Sequence, residues 1–265
     1  MILIGERINA GFKDIARAIQ TKDPEPVKTW AEKQTERGAD YLDVNIGAAS
    51  KKPEDMAWLV RTVRESVPTK ISVDSTNVAI MEAGLEALDG RAALINSTTA
   101  DSGKLETLVP LAVKYNTSLL GVAMDERGSP PDANRRVENA AVIFAAAMEG
   151  GLEPERIILD PILMPLKFMQ EQAPHVLEAI SQYTFLSDPP PHISVGLSNV
   201  ASKVTERGLI VRTFLVMAMT RGLDAAICNV MDEEMIAAVA TAELILNKEI
   251  YSDSYVRAFT ARRGP

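Results

Sequence analysis

The sequence predicts an α/β protein whose parallel strands close into a (β/α)8 barrel, and two observations carry that expectation. The first is a repeated grammar, in which a short apolar run ends abruptly in a carboxylate, an amide or a hydroxyl. Ile71-Ser72-Val73-Asp74 runs into Ser75-Thr76-Asn77, Tyr41-Leu42-Asp43-Val44-Asn45 into Ile46-Gly47, and Ala93-Leu94-Ile95-Asn96-Ser97 into Thr98. Ile157-Ile158-Leu159-Asp160 meets Pro161, and Val195-Gly196-Leu197-Ser198-Asn199 leads into Val200. Runs of this length bounded by turn formers read as strands buried on both faces of a parallel sheet. The second is spacing: strand starts recur roughly every 20 to 40 residues, near the size of a βα unit. Eight such units close as a barrel, with an open doubly wound sheet as the alternative.

In order, Ile2-Leu3-Ile4 makes the first strand, with Gly5-Glu6-Arg7-Ile8-Asn9 at its exit, and a helix follows over residues 13–20. The next helix is marked by Asp23 as N-cap, Pro24 at the first helical position and Gly38 just past the end. Strand two covers residues 41–45, where period-2 alternation puts Asp43 and Asn45 on one face, towards the barrel mouth. Met56, Leu59, Val60, Val63 and Val67 form a helical stripe that would cover the sheet. Strand three is 70–73, followed by a helix over 77–88 and strand four over 92–95. Leu105, Leu108, Val109 and Ala112 make the next stripe, and 117–122 the fifth strand. Turn formers crowd residues 125–134, the expected mobile rim loop. Val137, Ala141, Phe144, Ala145 and Met148 mark the sixth helix, ended by Gly150-Gly151. Strand six is 156–159, with a helix over 174–183. A stiff Ser187-Asp188-Pro189-Pro190-Pro191 connector precedes strand seven at 192–196. A helix over 209–221, a short strand near 225–227 and a helix over 232–246 complete the series. No linker or composition shift divides the chain, so a single domain over residues 1–265 is expected.

Composition narrows the function. Lys and Arg number 28 against 36 Asp and Glu, a net charge of −8 that argues against nucleic acid or an anionic membrane as partner. Cys228 is the only cysteine, which permits no intrachain disulfide and suits a reducing cytoplasm. The start is charged too early for a signal peptide, and no apolar stretch approaches the roughly 20 residues a membrane span needs. A cytoplasmic protein is expected.

Polar residues gathered at the carboxyl ends of barrel strands surround one mouth and read as a site. Each Asp or Asn alone is equally an ordinary cap or turn residue, and five such strand ends together favour the site. Neither a G-x-G-x-x-G nor a G-x-x-x-x-G-K phosphate loop occurs. His175 and His192 stand away from the strand-end carboxylates, so no protein-bound metal is expected. Cys228 has no neighbouring His to activate it. What remains is Asp74, Asn96, Asp160 and Asn199, with Glu6, Asp43 and Asn45 nearby. The set is rich in acceptors, carries amides that donate and accept, and lacks a nucleophile–base pair. It suits a flat heterocycle with adjacent N–H donors and a carbonyl, held more than attacked.

Gly5-Glu6-Arg7-Ile8-Asn9, Asp43-Val44-Asn45-Ile46-Gly47, Asp74-Ser75-Thr76-Asn77, Ile95-Asn96-Ser97-Thr98, Leu159-Asp160-Pro161 and Gly196-Leu197-Ser198-Asn199-Val200 carry a family likeness. Together, and in this order, they resemble the pterin-binding methyltransferases, the methyltetrahydrofolate:corrinoid protein methyltransferases in particular. The resemblance implies a TIM barrel, usually a homodimer. It implies tetrahydrofolate or 5-methyltetrahydrofolate as substrate at the strand carboxyl ends, and a separate corrinoid protein whose cobalt reaches the folate N5. It also implies that Asp74, Asn96 and Asp160 bind the pterin while Gly196 and Ser198 line the same wall. Asn199, reaching N5, would be the catalytic residue. Glu6 and Asp43 take supporting positions, with Asn45 beside them.

Dihydropteroate synthase shares that fold and pocket and is the rival enzyme. Its pattern places basic residues directly after the strand-seven Ser, whereas Ser198 is followed by Asn199-Val200-Ala201, with Lys203 and Arg207 later. Those two cations are expected to be solvated, contact with the glutamate tail of folate being the alternative. A folate-binding protein without catalysis is the reading from another class. The direction of methyl transfer, the corrinoid partner and the pathway lie beyond the sequence.

Overall fold

The computed structural model describes residues 1–252; the end of the domain expected over 1–265 lies outside the described residues. Eight strands form one sheet: β1 (Ile2–Asn9), β2 (Tyr41–Asn45), β3 (Lys70–Asp74), β4 (Ala93–Thr99), β5 (Ser118–Val122), β6 (Ile157–Asp160), β7 (His192–Ile193) and β8 (Ala225–Cys228). Each pairs in parallel with its neighbour from β1 through β7, and β8 pairs with β1. The seam between β7 and β8 is closed by Ile227 N–H donating to Val195 O at 3.0 Å and by a parallel bridge between Gly196 and Ile227. The expected eight-stranded barrel is therefore observed.

Outside it run α1 (Lys13–Thr21), α2 (Glu25–Glu36), α3 (Pro53–Ser66), α4 (Val78–Glu86), α5 (Ser102–Lys114), α6 (Ala133–Glu149), α7 (Leu166–Met169), α8 (Gln172–Tyr183), α9 (Arg207–Met219) and α10 (Glu233–Ile245). Pro24 occupies the N-cap position of α2, and the Asp23 carboxylate instead accepts from Glu25 N–H at 3.1 Å. Carboxylates do cap α5, α6 and α10: Asp101, Asp132 and Asp232 each accept a backbone N–H from three residues on.

The side chains separate into two cores. Inside the barrel, Ile4, Tyr41, Leu94, Leu120, Ile158 and Ala225 form one apolar plug. A larger cluster, with Leu42, Leu59, Val73, Ile95 and Ile143 among its members, fills the shell between strands and helices. Alternation on each strand explains the division, since successive side chains face opposite sides of the sheet. Following the inward positions towards the carboxyl ends, Ile4 gives way to Glu6, Tyr41 to Asp43, Leu94 to Asn96 and Ile158 to Asp160. Polarity thus rises along the barrel axis until it reaches the mouth.

Two strands depart from the expectations, and one helix buries an unexpected cation. Strand β4 continues to Thr99, with its register against β5 slipping by one residue between Asn96 and Thr98, so Asn96 lies within the strand at a bulge. Strand β7 is only two residues long, and the chain beyond it bends into a short 3-10 turn over Leu197–Ala201. In α6, Ala145 and Met148 face solvent, while Arg136, Asn139, Ala140, Ile143 and Ala147 are buried. Arg136 is fully enclosed because its guanidinium donates to the carbonyls of Pro130, Asp132 and Pro161 and to Gln172 Oε1. An apolar stripe cannot reveal a cation whose burial depends on carbonyls elsewhere in the chain.

Candidate active site

Two bulges shape the mouth. In β1 the register against β2 slips between Gly5 and Ile8, and Arg7 N–H turns away from the ladder to donate to Gln34 Oε1 at 3.0 Å. A Cβ at Gly5 would sit 2.5 Å from that same Gln34 oxygen, so only glycine leaves room for this exit. The bulge in β4 likewise lies at the mouth, directly after Asn96.

A cavity of about 410 Å3 opens there, lined by Glu6, Asp43, Asp74, Asn96, Gly196, Ser198 and Asn199 among others. Seven of the nine residues expected from the sequence therefore meet around one space. The other two sit behind its lining. Asn45 Nδ2 donates to Asp74 Oδ2 at 2.6 Å, and the Asp160 carboxylate accepts the backbone N–H groups of Ile162 and Gly196.

The polar contacts cross-link neighbouring strands. Asp43 Oδ1 accepts from Ser72 Oγ at 2.7 Å and from Asn96 Nδ2 at 3.0 Å, tying β2 to β3 and β4. Ser198 Oγ donates to Glu6 Oε1 at 2.6 Å. Burial, reinforced by the Asp74 charge, pushes the Asp43 carboxyl well above the usual range, and burial also raises Asp74. Two enclosed carboxylates in contact cannot both ionise readily, so Asp43 keeps a proton and Asp74 stays the acceptor. Burial lifts Glu6 as well, against the Ser198 hydrogen bond and the Arg207 charge. For Asp160 burial outweighs two backbone donors, and its pKa rises to about 6.

Asp160 also fixes local backbone. Ile162 has φ of +63°, a left-handed conformation that a β-branched residue rarely adopts, and its N–H is held by Asp160 Oδ1 at 2.7 Å. At the neighbouring exit, a Cβ on Gly196 would lie 2.8 Å from Asn199 Nδ2, so the missing side chain makes space for the amide. Asn199 is exposed to the cavity, and among the described residues its side chain takes no hydrogen-bond partner. Not every strand-end polar residue belongs to the site: Asn77 caps α4 by accepting Ile80 N–H at 3.2 Å.

The cavity also draws on Asn9, Gly11, Phe12, Arg207 and Ile227. Arg207, at the start of α9, is exposed at the rim of this space, from where its charge reaches Glu6. Lys203 does stay outside the lining, its Nζ 5.8 Å from the Phe168 ring. Ser72 was within reach of the sequence, since it shares the inward face of β3 with Asp74. Phe12 was not, because it lies in a loop without periodicity. No cluster of three or more His, Cys, Asp or Glu side chains suited to a metal occurs among the described residues. Nor is any helix among them long and apolar enough to cross a membrane.

Known proteins sharpen this picture. A methylcorrinoid:tetrahydrofolate methyltransferase of Eubacterium limosum is 29% identical over 267 aligned positions, covering 98% of this chain and 96% of its own length. A methionine synthase of Mycobacterium tuberculosis is 28% identical over 243 positions, where the chain matches 20% of that longer protein. Among solved structures, dihydropteroate synthase from Yersinia pestis superposes with a TM-score of 0.67 at 13% identity, covering 93% of both chains. Dihydropteroate synthase from Thermus thermophilus gives 0.64 at 18%, covering 88% of this chain and 91% of its own. Those two likenesses speak for the fold. The family model for pterin binding enzymes matches residues 5–229, a span that runs from the β1 bulge to the exit of β8, and the chain belongs to that family.

Proposed function

We propose that this protein moves a methyl group between N5 of tetrahydrofolate and the cobalt of a corrinoid carried by a separate protein. The observation that carries the reading is the convergence of Asp43, Asp74, Asn96, Ser198 and Asn199 on one cavity in a chain of the pterin binding family. The activity named for the Eubacterium limosum relative, which aligns along nearly all of this chain, supports it. Asp74, Asn96 and Asp160 bind the pterin, with Gly196 and Ser198 along the wall. Asp74 accepts from the ring N–H groups because Asp43 keeps its own proton and Asn45 fixes the Asp74 carboxylate from behind. Glu6, Asp43 and Asn45 support these contacts.

Transfer away from folate breaks the N5–methyl bond and leaves its electron pair on N5, while the cobalt(I) lone pair forms the new bond to carbon. N5 then takes up a proton from solvent. The same geometry serves the reverse direction, in which N5 supplies the electron pair. Asn199 has no useful acid pKa, so its role is electrostatic: an unengaged amide beside N5 stabilises the charge that shifts there. Dihydropteroate synthase chemistry would call for a cationic cradle after Ser198. Lys203 stands over Phe168 instead, and Arg207 faces Glu6.

One pterin-binding barrel domain over residues 1–265, a cytoplasmic location, a corrinoid protein as partner and no nucleic-acid or membrane partner complete the proposal. A homodimer belongs to it as well, supported by the apolar furrow between α9 and α10, where Met217 and Ile245 are exposed. The test mixes 5-methyltetrahydrofolate with reduced free cobalamin and follows methylcobalamin by its absorbance. Binding without turnover would leave a non-catalytic folate-binding protein, and absence of binding would overturn the reading.

A further inference from the structure

Strand β6 leaves the barrel through Asp160-Pro161-Ile162, where the backbone runs against residue preference. Ile162 stands at a φ of +63°, a conformation in which its branched Cβ crowds the backbone. A half-turn of the Pro161–Ile162 peptide would return Ile162 to a negative φ that isoleucine readily adopts. Both polar groups of that peptide are held against such a turn. Ile162 N–H donates to Asp160 Oδ1 at 2.7 Å, and Pro161 O accepts from Arg136 Nε at 2.8 Å.

We infer that Arg136 is a positioning residue for Asp160, acting through this single peptide plane; on the function proposed above, it presets the carboxylate for the pterin. In a planar trans peptide the carbonyl and the N–H point in opposite directions. A guanidinium fixed behind the carbonyl therefore aims the N–H forward, at Asp160. Donation by a cation also polarises the peptide and strengthens its N–H as a donor. Arg136 itself touches neither Asp160 nor the cavity lining.

The guanidinium is in turn fixed from three sides. Arg136 is fully enclosed, and its Nη1 donates to Pro130 O at 3.1 Å and to Asp132 O at 2.9 Å. Its Nη2 donates to Gln172 Oε1 at 2.8 Å, and Gln172 Nε2 donates to Pro131 O at 3.1 Å. The loop before α6 and the start of α8 thus grip the same cation. Tyr183 of α8 adds a hydroxyl that donates to Arg136 O at 3.0 Å. Burial, reinforced by the Asp160 charge, pushes that phenol well above its usual range, so it stays neutral beside the carboxylate. Asp160 therefore answers to two backbone donors, Gly196 N–H and the Ile162 N–H that Arg136 aims.

The experiment has two arms, both on the full chain. NMR titration follows the Asp160 carboxyl carbon without ligand, and calorimetry follows affinity for 5-methyltetrahydrofolate across pH 5 to 8. Arg136→Met removes the donor to Pro161; Arg136→Lys keeps a cation in the cluster without the Nε–H, and serves should the first variant not fold. A hydrogen bond to the ionised form lowers a carboxyl pKa, so loss of the aimed N–H should move Asp160 up from about 6 by about one unit. The pH step in folate affinity should move with it, a loss of about five-fold at pH 6. Gln172→Leu loosens the same cluster but leaves Nε on Pro161, and should lower the melting temperature while both midpoints stay. An Asp160 midpoint unmoved by the Arg136 variants, or moved as far by Gln172→Leu, would make Arg136 a structural residue only and overturn the assignment. A wild type that binds no folate would overturn the function proposed above, while the ligand-free titration would still decide whether Arg136 sets Asp160.

Discussion

The hydroxyl of Ser198 donates to the carboxylate of Glu6 at 2.6 Å, joining the exits of β7 and β1, which flank β8 in the barrel. Ser198 is the neutral donor that favours the charged form of Glu6, against burial that favours the protonated form. Ser198→Ala should therefore raise the Glu6 pKa further, and Ser198→Thr should restore it. Carboxyl-carbon NMR titration of the three proteins checks this; an unmoved Glu6 resonance would leave the contact without electrostatic consequence.

Asn199 is the residue whose removal should separate binding from chemistry. Its amide takes no partner among the described residues, so truncation orphans nothing in the resting protein. Asn199→Ala is expected to slow single-turnover transfer to reduced cobalamin by roughly 10²–10³ at saturating folate, the usual effect of losing one transition-state donor. Folate affinity should change far less. A variant that binds weakly and transfers normally once saturated would make Asn199 a holding residue.

Asp74→Ala and Asp160→Ala should each weaken folate binding by about 1–3 kcal/mol, the cost of leaving buried donors unpaired. Asp160 carries a second duty, because it also holds Ile162 in its left-handed conformation. Asp160→Ala should therefore lower the melting temperature as well, whereas Asp160→Asn, which keeps an acceptor there, should lose affinity with little loss of stability. In the wild type, affinity that depends on the Asp160 carboxylate should fall as pH drops through about 6, and Asp160→Asn should flatten that step. Calorimetry across pH 5 to 8, run on both proteins, is the check.

Much of this was legible because one rule, alternation along a strand, acts on fold and site together. Tyr41, Asp43 and Asn45 share a face, so a register that buries Tyr41 in the barrel carries Asp43 and Asn45 to the mouth. The rest depended on contacts between distant segments. Arg136 is buried by carbonyls that no helical period records, and beyond Ile193 the strand-like residues keep only isolated bonds to β6 and β8 before the turn at Leu197. Arg207 is the exposed cation its context suggests, but nothing near it in sequence tells that α9 begins beside Glu6. Phe12 owes its place to Arg7, through a stack that neither residue type announces alone.

At the opposite end of the barrel, His192 Nδ1 lies 2.6 Å from Asp224 Oδ2, while Asp224 Oδ1 accepts Ile193 N–H at 2.8 Å. The hydrogen bond to Asp224 raises the His192 pKa against burial. A folded pKa above the unfolded value means that the proton stabilises the fold. That contribution is complete below about pH 6.5 and is lost as pH rises through the folded pKa. Urea midpoints measured from pH 6 to 9 should decline in the wild type, and His192→Gln should remove that part of the slope.

Arg136→Met should cost stability on the order of 3 kcal/mol, since it strips charged donors from three enclosed carbonyls and the Gln172 side chain. Denaturant unfolding measures the loss. A neutral outcome would mean that those acceptors find water or other donors once the guanidinium is gone.

The separation of the inner plug from the outer shell gives an engineer two independent handles. Exchanges at shell positions such as Leu59, Val60 and Ile143 touch the helix-facing side of the sheet, so their effects on melting temperature should add to those of changes at the mouth. Inner positions such as Leu94 and Ile158 sit directly beneath Asn96 and Asp160 on the same strand faces. A library aimed at robustness therefore belongs among the helices, and one aimed at a different heterocycle belongs on the inward residues of the strands.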